Sequence, residues 1–393
     1  MSTLKTTNIQ NASSATTNIA LDTSGNVTVG NNVTVGGGIT ASSGTVVMSS
    51  PYTMRNKIIN GAMVIDQRNA GASSTNTGVY TVDRWKFAAS QASKFTWQQN
   101  AGSVTPPAGY SNYLGFTSSS SYSVLATDYF EVFQVIEGFN AADLAWGTSS
   151  AKSVTLSFWV RSSLTGTFGG ALTNGGSTRS YPFSYTISSA NTWEQKTITI
   201  AGDTTGTWAT NNTAGIYVIF SLGLGSNYQG TAGAWVAADR ETVTGETRVV
   251  GTSGATWYIT GVQLERGTVA TPFEYRNYQQ ELAMCQRYYE QWGGEDVYQI
   301  FGIADCNSTN GLYSCVQYYV PKRAAPTVSV SSAGDFQTVR GGYVIGSISP
   351  SQATTTSVFV ALVTVGTSLT VGQAYTYRAN NTANARFKFN AEL

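Results

Sequence analysis

The sequence predicts an all-β protein: an N-terminal interlaced β-stem, a jelly-roll β-sandwich, one short helix and a C-terminal β-sandwich. Three observations predict it. Charged residues are only 11% of the 393 residues, against roughly 25% in ordinary soluble domains, and Ser, Thr, Asn and Gly take their place. Apolar residues alternate with polar ones at period two in stretch after stretch, the spacing of half-buried strands. One segment alone carries helical spacing.

Residues 1–55 are poor in aromatics and carry a repeat, NVTVG, at Asn26–Gly30 and Asn32–Gly36. Val27, Val29, Val33 and Val35 alternate with polar residues, and glycines cut the pattern into very short strands. A strand pair this thin does not fold alone in water. The segment is therefore either disordered or shared between chains.

Residues 56–275 read as a series of strands joined by turns. In VTLSFWVRSS, Val154, Leu156, Phe158 and Val160 alternate with Thr155, Ser157, Trp159 and Arg161. AGIYVIFSLGLG alternates through Ile216, Val218, Phe220, Leu222 and Leu224. KTITIAGDTTGTW and TWYITGVQLE supply two more strands. Strands without intervening helices predict an antiparallel sandwich of jelly-roll type.

Residues 276–294 hold the helix. Across Asn277–Trp292 the residues Tyr278, Leu282, Cys285, Tyr289 and Trp292 are spaced 4, 3, 4, 3, a two-heptad apolar seam. Gly293-Gly294 is a natural stop. The seam packs either against two other copies or against the chain's own sandwich.

Residues 295–393 form a second β-unit. Asn310-Gly311 is a hairpin signal. It predicts Phe301, Ile303, Val316, Tyr318 and Val320 on one face, with Tyr313, Gln317 and Tyr319 on the other. The same turn sets Cys306 opposite Cys315, close enough for a bridge under oxidant and a thiol pair in reducing cytosol. A calcium loop through Asp305, Asn307 and Asn310 has the wrong ligand spacing. In the last strand Phe387 and Phe389 point one way, Arg386 and Lys388 the other.

Several function classes are disfavoured. The formal net charge is +1 and no basic stripe forms, which argues against nucleic acid and anionic lipid as partners. The first residues contain no apolar signal-peptide core, and Val358–Val365 is too short for a membrane span. There is no histidine, so triad chemistry and the usual zinc sites are excluded, and three cysteines do not replace them. Neither a P-loop nor a dinucleotide fingerprint in βαβ context is present. No cofactor or metal is expected. Glycoside hydrolysis needs only two carboxylates, but no spacing nominates a pair, so the chain reads as a non-enzyme.

What remains is nine tryptophans and 22 tyrosines. Aromatic faces beside amides and hydroxyls suit sugar rings, whose C–H faces stack while their hydroxyls hydrogen-bond. Trp159 and Arg161 oppose a core face; they line a groove, or Trp159 is simply core. Tyr313, Gln317 and Tyr319 oppose the hairpin's core face, as glycan contacts or as a contact between subunits.

NKIINGAMVIDQRNAG (Asn56–Gly71) followed by YTVDRW (Tyr80–Trp85) resembles the opening of a domain common in tail fibres of tailed bacteriophages. WYITGVQLERGTVATPFEYR (Trp257–Arg276) resembles its end, and ELAMCQRYYEQ (Glu281–Gln291) the helix that often follows. The leading TNIALDTSGNVTVGNNVTVGG is similar to stems of phage fibres. The resemblance covers residues 18–291 and implies a homotrimeric fibre of the virion tail. Its N-terminus would hold a tail or baseplate protein, and its distal domain a host surface glycan or outer-membrane protein. It implies a central jelly roll like a carbohydrate-binding module, made without a secretory signal. Such modules often hold a structural calcium partly through acids of the last strand, where this chain has Gly261 and Gln263. In a trimer, three copies of Val27, Val29, Val33 and Val35 share one axis and a common core. A purely structural fibre segment and a glycan depolymerase are the alternatives.

Overall fold

The computed structural model describes residues 54–393 and, as backbone, Asn8–Ile9 (β1), Ile19–Leu21 (β2) and Val27–Val29 (β3). These three strands belong to an N-terminal unit, Met1–Pro51. They form an antiparallel sheet in the order β1-β2-β3, with Ile19 opposite Val29 and Leu21 opposite Val27. Val27 and Val29 thus lie on a strand, while Val33 and Val35 fall outside the described residues.

The second unit is Tyr52–Leu393. Its first sandwich opens with β4 (Val79–Tyr80), β5 (Lys86–Ala89), β6 (Phe95–Gln99), β7 (Leu114–Ser118) and β8 (Phe130–Glu137). A single turn, α1 (Gly138–Ala141), precedes β9 (Val154–Ser162), β10 (Gly166–Asn174), β11 (Ser180–Ile187), β12 (Glu194–Ile200) and β13 (Ala214–Ser221). A short parallel pair, β14 (Gln229–Gly230) and β15 (Thr242–Val243), lies in a long loop before β16 (Thr256–Arg266). One sheet runs β11-β10-β13-β8-β5-β4 and the other β12-β9-β16-β7-β6. The chain crosses repeatedly between them, as a jelly roll does. Between the sheets, Phe158, Phe220, Trp257, Trp85 and Phe116 interlock in one buried cluster. Each such side chain contributes about 1.5–3 kcal/mol by leaving water.

Next comes α2 (Tyr278–Gln286), capped by the Asn277 side chain, which accepts from the Gln280 N–H at 2.8 Å. The helix is shorter than the heptad seam predicts. The chain turns at Arg287-Tyr288 and Tyr289–Gly293 becomes strand β17. Two anchors dictate the turn. Arg287 makes a bidentate pair with Glu137 of β8, at 2.9 and 2.7 Å. Tyr288 is fully buried, and its hydroxyl donates to the same carboxylate at 2.6 Å. Leu282 and Cys285 pack with Ile59 and Ile65 of the same chain, whereas Tyr278 is 61% exposed. Tyr289 and Trp292 lie on the strand, so the predicted seam is not one helical face.

The second sandwich continues with β18 (Ile300–Cys306), β19 (Gly311–Gln317), β20 (Thr327–Val330), β21 (Phe336–Thr338) and β22 (Ile345–Ser351). It closes with β23 (Ser357–Thr364), β24 (Ala374–Ala379) and β25 (Arg386–Asn390). Its sheets are β17-β25-β20 and β21-β24-β18-β19-β23-β22. Phe387 and Phe389 are fully buried between them, as their alternation predicts.

The hairpin register differs from the sequence-based expectation. Cys306 faces Leu312 and Asp305 faces Tyr313, around a loop in which Asn307 N donates to Gly311 O at 3.1 Å. This register is displaced by three residues from a turn centred on Asn310-Gly311, and an odd displacement exchanges faces. Cys306 therefore points into the core while Cys315 is exposed; all three cysteines are free thiols. Ile303, expected inside, is 65% exposed, and a bulge at Ile300/Gly302 returns Phe301 to the core side, 5.0 Å from Phe336.

The second sandwich buries a charge pair beside the end of α2. Lys322 and Glu290 pair with no side-chain exposure, and the Lys322 ammonium also donates to Gln286 O at 2.6 Å and Val320 O at 2.9 Å. Burial pulls the Lys322 ammonium down, against the pull of Glu290. Lys322→Met leaves the Glu290 carboxylate buried without its cation and is expected to destabilise by about 3–5 kcal/mol. Lys322→Met with Glu290→Gln is expected to recover much of that loss in urea unfolding followed by tryptophan fluorescence. Equal loss in both variants counts against the pair as the cause.

Candidate functional site

The outer face of the five-stranded sheet is built by the alternation already visible in β9. Val154, Leu156, Phe158 and Val160 are fully buried toward the core, which turns Trp159 and Arg161 outward, both half-buried. Trp159 stands between Thr260 of β16 and Gln195 of β12, and Arg161 beside Tyr258. The Arg161 guanidinium lies 5.6 Å from the Tyr258 ring and donates to Asn191 O at 2.9 Å. Tyr258 packs on Tyr113 at 5.3 Å, and Tyr113 on Trp193 at 5.5 Å. Trp159 is thus part of an aromatic outer face, not of the inter-sheet core.

A cavity of about 400 Å³ opens at the Trp159 end of this face. Tyr110, Phe273 and Tyr275 wall it, with ring centroids 4.9 to 5.6 Å apart. Arg276 and Glu281, paired at 3.5 Å, supply its polar groups. The Tyr110 hydroxyl interacts with Tyr275 and Trp159, and burial pushes it well up. Gly261 makes room for that ring. It takes φ 62° at the β16 bulge, and a Cβ there would meet the Tyr110 hydroxyl at 2.6 Å. Tyr275 is exposed and donates to Gly109 O at 2.8 Å. Stacking rings beside a guanidinium, a carboxylate and hydroxyls can hold an apolar ring face by its flank and its hydroxyls by their edges.

Gln263 is committed internally. Its amide donates to Glu265 at 2.8 Å and accepts from Glu274 N at 2.8 Å, while Thr271 donates to Glu265 at 2.7 Å. Arg55 lies 3.6 Å from Glu265, so protein groups occupy the polar corner of the last strand.

The other predicted contacts sit in the second sandwich, split between two places. Tyr313 and Gln317 are exposed on the outer face of β19, with Cys315 between them and Phe359 5.1 Å from the Tyr313 ring. Tyr319 lies beyond the strand, 74% exposed, and packs on Trp292 at 4.8 Å. Tyr110, Phe273 and Tyr275 escaped sequence reasoning because they come from separate loops, and the space they fill is left by Gly261 at a bulge that strand alternation does not reveal.

A second feature was also invisible. Glu131 of β8 and Glu241 from the β14–β15 loop meet side chain to side chain on the outer face of the six-stranded sheet, with Asp239 nearby. Gly169 permits this: a Cβ there would strike the Thr242 hydroxyl, so the loop lies directly on the sheet. One Glu131 oxygen and one Asp239 oxygen are buried without a hydrogen-bond partner among the described residues. Burial and the neighbouring carboxylates push Glu131 well up and Glu241 up to about 7. No group of acids, cysteines or histidines among the described residues has the geometry of a metal site.

No protein-family model matches the sequence, and none of the curated proteins compared with it matches. Among solved structures, the chain is similar to the enzymatically active domain of tailspike protein 4 of bacteriophage CBA120, at 11% identity and TM-score 0.29. The match covers 54% of this chain and spans 22% of the tailspike chain. It is also similar to the carbohydrate-binding module TmCBM61 in complex with β-1,4-galactotriose, at 13% identity and TM-score 0.26, over 47% of this chain and 88% of that one. A third is the family 11 carbohydrate-binding module of a Clostridium thermocellum cellulosomal cellulase, at 13% identity and TM-score 0.25, over 52% of this chain and all of that one. The sandwich assignment stands on the strand pairings of the chain itself.

Proposed function

We propose that this chain is a carbohydrate-recognising component of a homotrimeric bacteriophage tail fibre, non-catalytic, whose first sandwich takes a sugar of the host surface in the aromatic cavity. The observation that carries the reading is the set of rings around that cavity, Tyr110, Phe273 and Tyr275, with Trp159 beside them on one sheet face. The tail-fibre context rests on the motif blocks of the sequence. The N-terminal unit would join a tail or baseplate protein, and Tyr313, Gln317 and Tyr319 would add contacts to glycan or outer-membrane protein. Weak single sites then gain from multivalency.

A second reading, a glycan depolymerase, draws support from one feature. Glu131 and Glu241 are two carboxyls of which one stays protonated toward neutral pH, but they meet side chain to side chain, closer than the roughly 5–9.5 Å between carboxyls that flank a glycosidic bond. Against it, neither residue lines the aromatic cavity.

Tyr275→Ala and Trp159→Ala are each expected to weaken binding of host surface polysaccharide by about tenfold in calorimetry, the worth of one stacked ring. Unchanged affinity in both variants would sink the aromatic site. In light scattering the chain is expected near three times its monomer mass, and Val27→Asp with Val33→Asp is expected to give monomers with an intact thermal transition of the sandwiches. A wild-type monomer at micromolar concentration contradicts the trimer.

The carboxyl pair has its own pH signature. The folded protein keeps the Glu241 proton up to about pH 7, whereas the unfolded chain loses it near the ordinary glutamate value of 4.5. Folded protein binds more protons in that window, so this group's contribution falls as pH rises through it, by at most about 1.4 kcal/mol per pH unit. Glu241→Gln is expected to flatten that slope and to leave polysaccharide binding intact. Release of reducing ends from the polysaccharide by wild type, abolished by Glu241→Gln, would instead establish the depolymerase.

A further inference from the structure

A larger cavity, about 650 Å³, lies at the junction of the two sandwiches. Its walls follow from strand register. On one side, Tyr289, Asn390 and Thr327 share a row across the outer face of the three-stranded sheet, and Lys388 stands in the next row between Gln291 and Ser329. On the other side are edge strand β4 and the neighbouring Lys86, which pairs with Tyr80 across the ladder. Arg68 bridges the two walls, its guanidinium 3.6 Å from the Tyr289 ring and 4.7 Å from the Tyr80 ring.

The charges here are unequal in how they are used. Arg68 is spent on Asp83 at 3.4 Å and Glu392 at 3.0 Å, and Glu392, the one lining side-chain carboxylate, is further paired with Arg84, while the Tyr80 hydroxyl donates to Leu393 O at 3.0 Å. Lys86 and Lys388 line the same cavity, one from each wall, and neither appears in an ion pair among the described residues. Each is half-buried, and the Lys86 ammonium lies 5.8 Å from the Tyr80 ring. Side-chain amides of Asn76 and Asn390 and the Thr327 hydroxyl flank them. Two ammonium groups, amides, a hydroxyl and tyrosine rings match a sugar that carries an anionic substituent.

We infer that this junctional cavity is a second carbohydrate site, selective for acidic sugars, with Lys86 and Lys388 holding the carboxylate or phosphate from opposite walls. The inference does not depend on a sugar entering the aromatic cavity. Neither lysine holds the fold through a charge partner, so Lys86→Ala with Lys388→Ala is expected to keep the wild-type thermal transition. The probes are trigalacturonate for a carboxylate, mannose 6-phosphate for a phosphate, and galactotriose as the uncharged control. At least one acidic probe is expected to bind more tightly than galactotriose, with affinity falling as salt rises from about 50 to about 300 mM. The double variant is expected to lose at least about tenfold of that affinity, the worth of charge-assisted bonds, while Tyr275→Ala keeps it. Which acidic probe binds decides between the two anions. If both bind no better than galactotriose, or if the double variant binds the acidic probe as wild type does, the site is refuted. Loss of galactotriose binding in Tyr275→Ala reports separately on the aromatic cavity.

Discussion

The structure depends on one buried carboxylate, Glu392, gripped by two arginines. Arg84 is buried to 1% side-chain exposure, lies 3.5 Å over the Tyr288 ring and donates to Val135 O at 2.5 Å. Arg68 approaches the same carboxylate over Tyr289. Through these contacts the first segment of the jelly roll, the turn after α2 and the end of the last strand are fixed to one another. Taking such ions out of water costs several kcal/mol each unless every charge is met. Asp83, fully buried beside Arg68, shows the strain of the arrangement, since burial pushes its carboxyl up to about 6. A network of this kind tolerates one arrangement of its parts. The sandwiches are therefore joined as a rigid pair, and the cavity between them has fixed walls.

The segment Asn56–Trp85 gains its meaning from this hub. Asn60 adopts φ 57°, a conformation asparagine accepts better than most residues. Its amide donates to Ile65 O at 2.8 Å and Asp83 O at 2.9 Å, its carbonyl accepts from Ile65 N, and Trp85 donates to its backbone oxygen. Gln134 holds Ile59 by both N–H and C=O, at 2.8 and 2.7 Å, as a neighbouring strand would. The Glu281 side chain of α2 accepts from the Asn60 N–H. The residues that carry the tail-fibre resemblance thus encode a joint, in which side chains do the work of backbone pairing. A motif of that kind says how the chain is assembled and little about what it binds.

Legibility followed the range of the forces involved. The alternation of β9 and of Phe387 and Phe389 was readable because burial on one face imposes period two over a few consecutive residues. The helix was readable to Gln286 and no further, since Arg287 and Tyr288 answer to Glu137, 150 residues away in sequence. Local spacing cannot report that contact, so the apolar residues beyond it counted as helix when they belong to β17. The hairpin failed for a smaller reason: an asparagine-glycine pair fixes a turn, but a wider loop held by Asn307 and Ser308 displaced the register, turning Ile303 outward and Cys306 into the core. Glu131 and Glu241 had no local signature at all. They meet because a loop lies down on a glycine.

The same division separates the two cavities. The aromatic one was half legible: Trp159 and Arg161 followed from strand alternation, while the rings that complete it come from loops and from the space left by Gly261. The junctional cavity was not legible, because its walls come from different sandwiches and exist only once Glu392 has brought them together. Its lysines look like ordinary solvated charges in sequence, and alternation places Lys388 only on the side of its strand away from the phenylalanine core. What distinguishes them is that the acidic side chain lining the cavity, Glu392, is already engaged by two arginines. Rigid walls matter for binding here, since a site that does not reorganise loses less ordering entropy on taking its ligand. The paired arginines that fix the sandwiches and the unpaired lysines that face the cavity are therefore two consequences of one arrangement. The carboxylates are consumed in holding the joint, and the remaining positive charge is left facing outward at the seam.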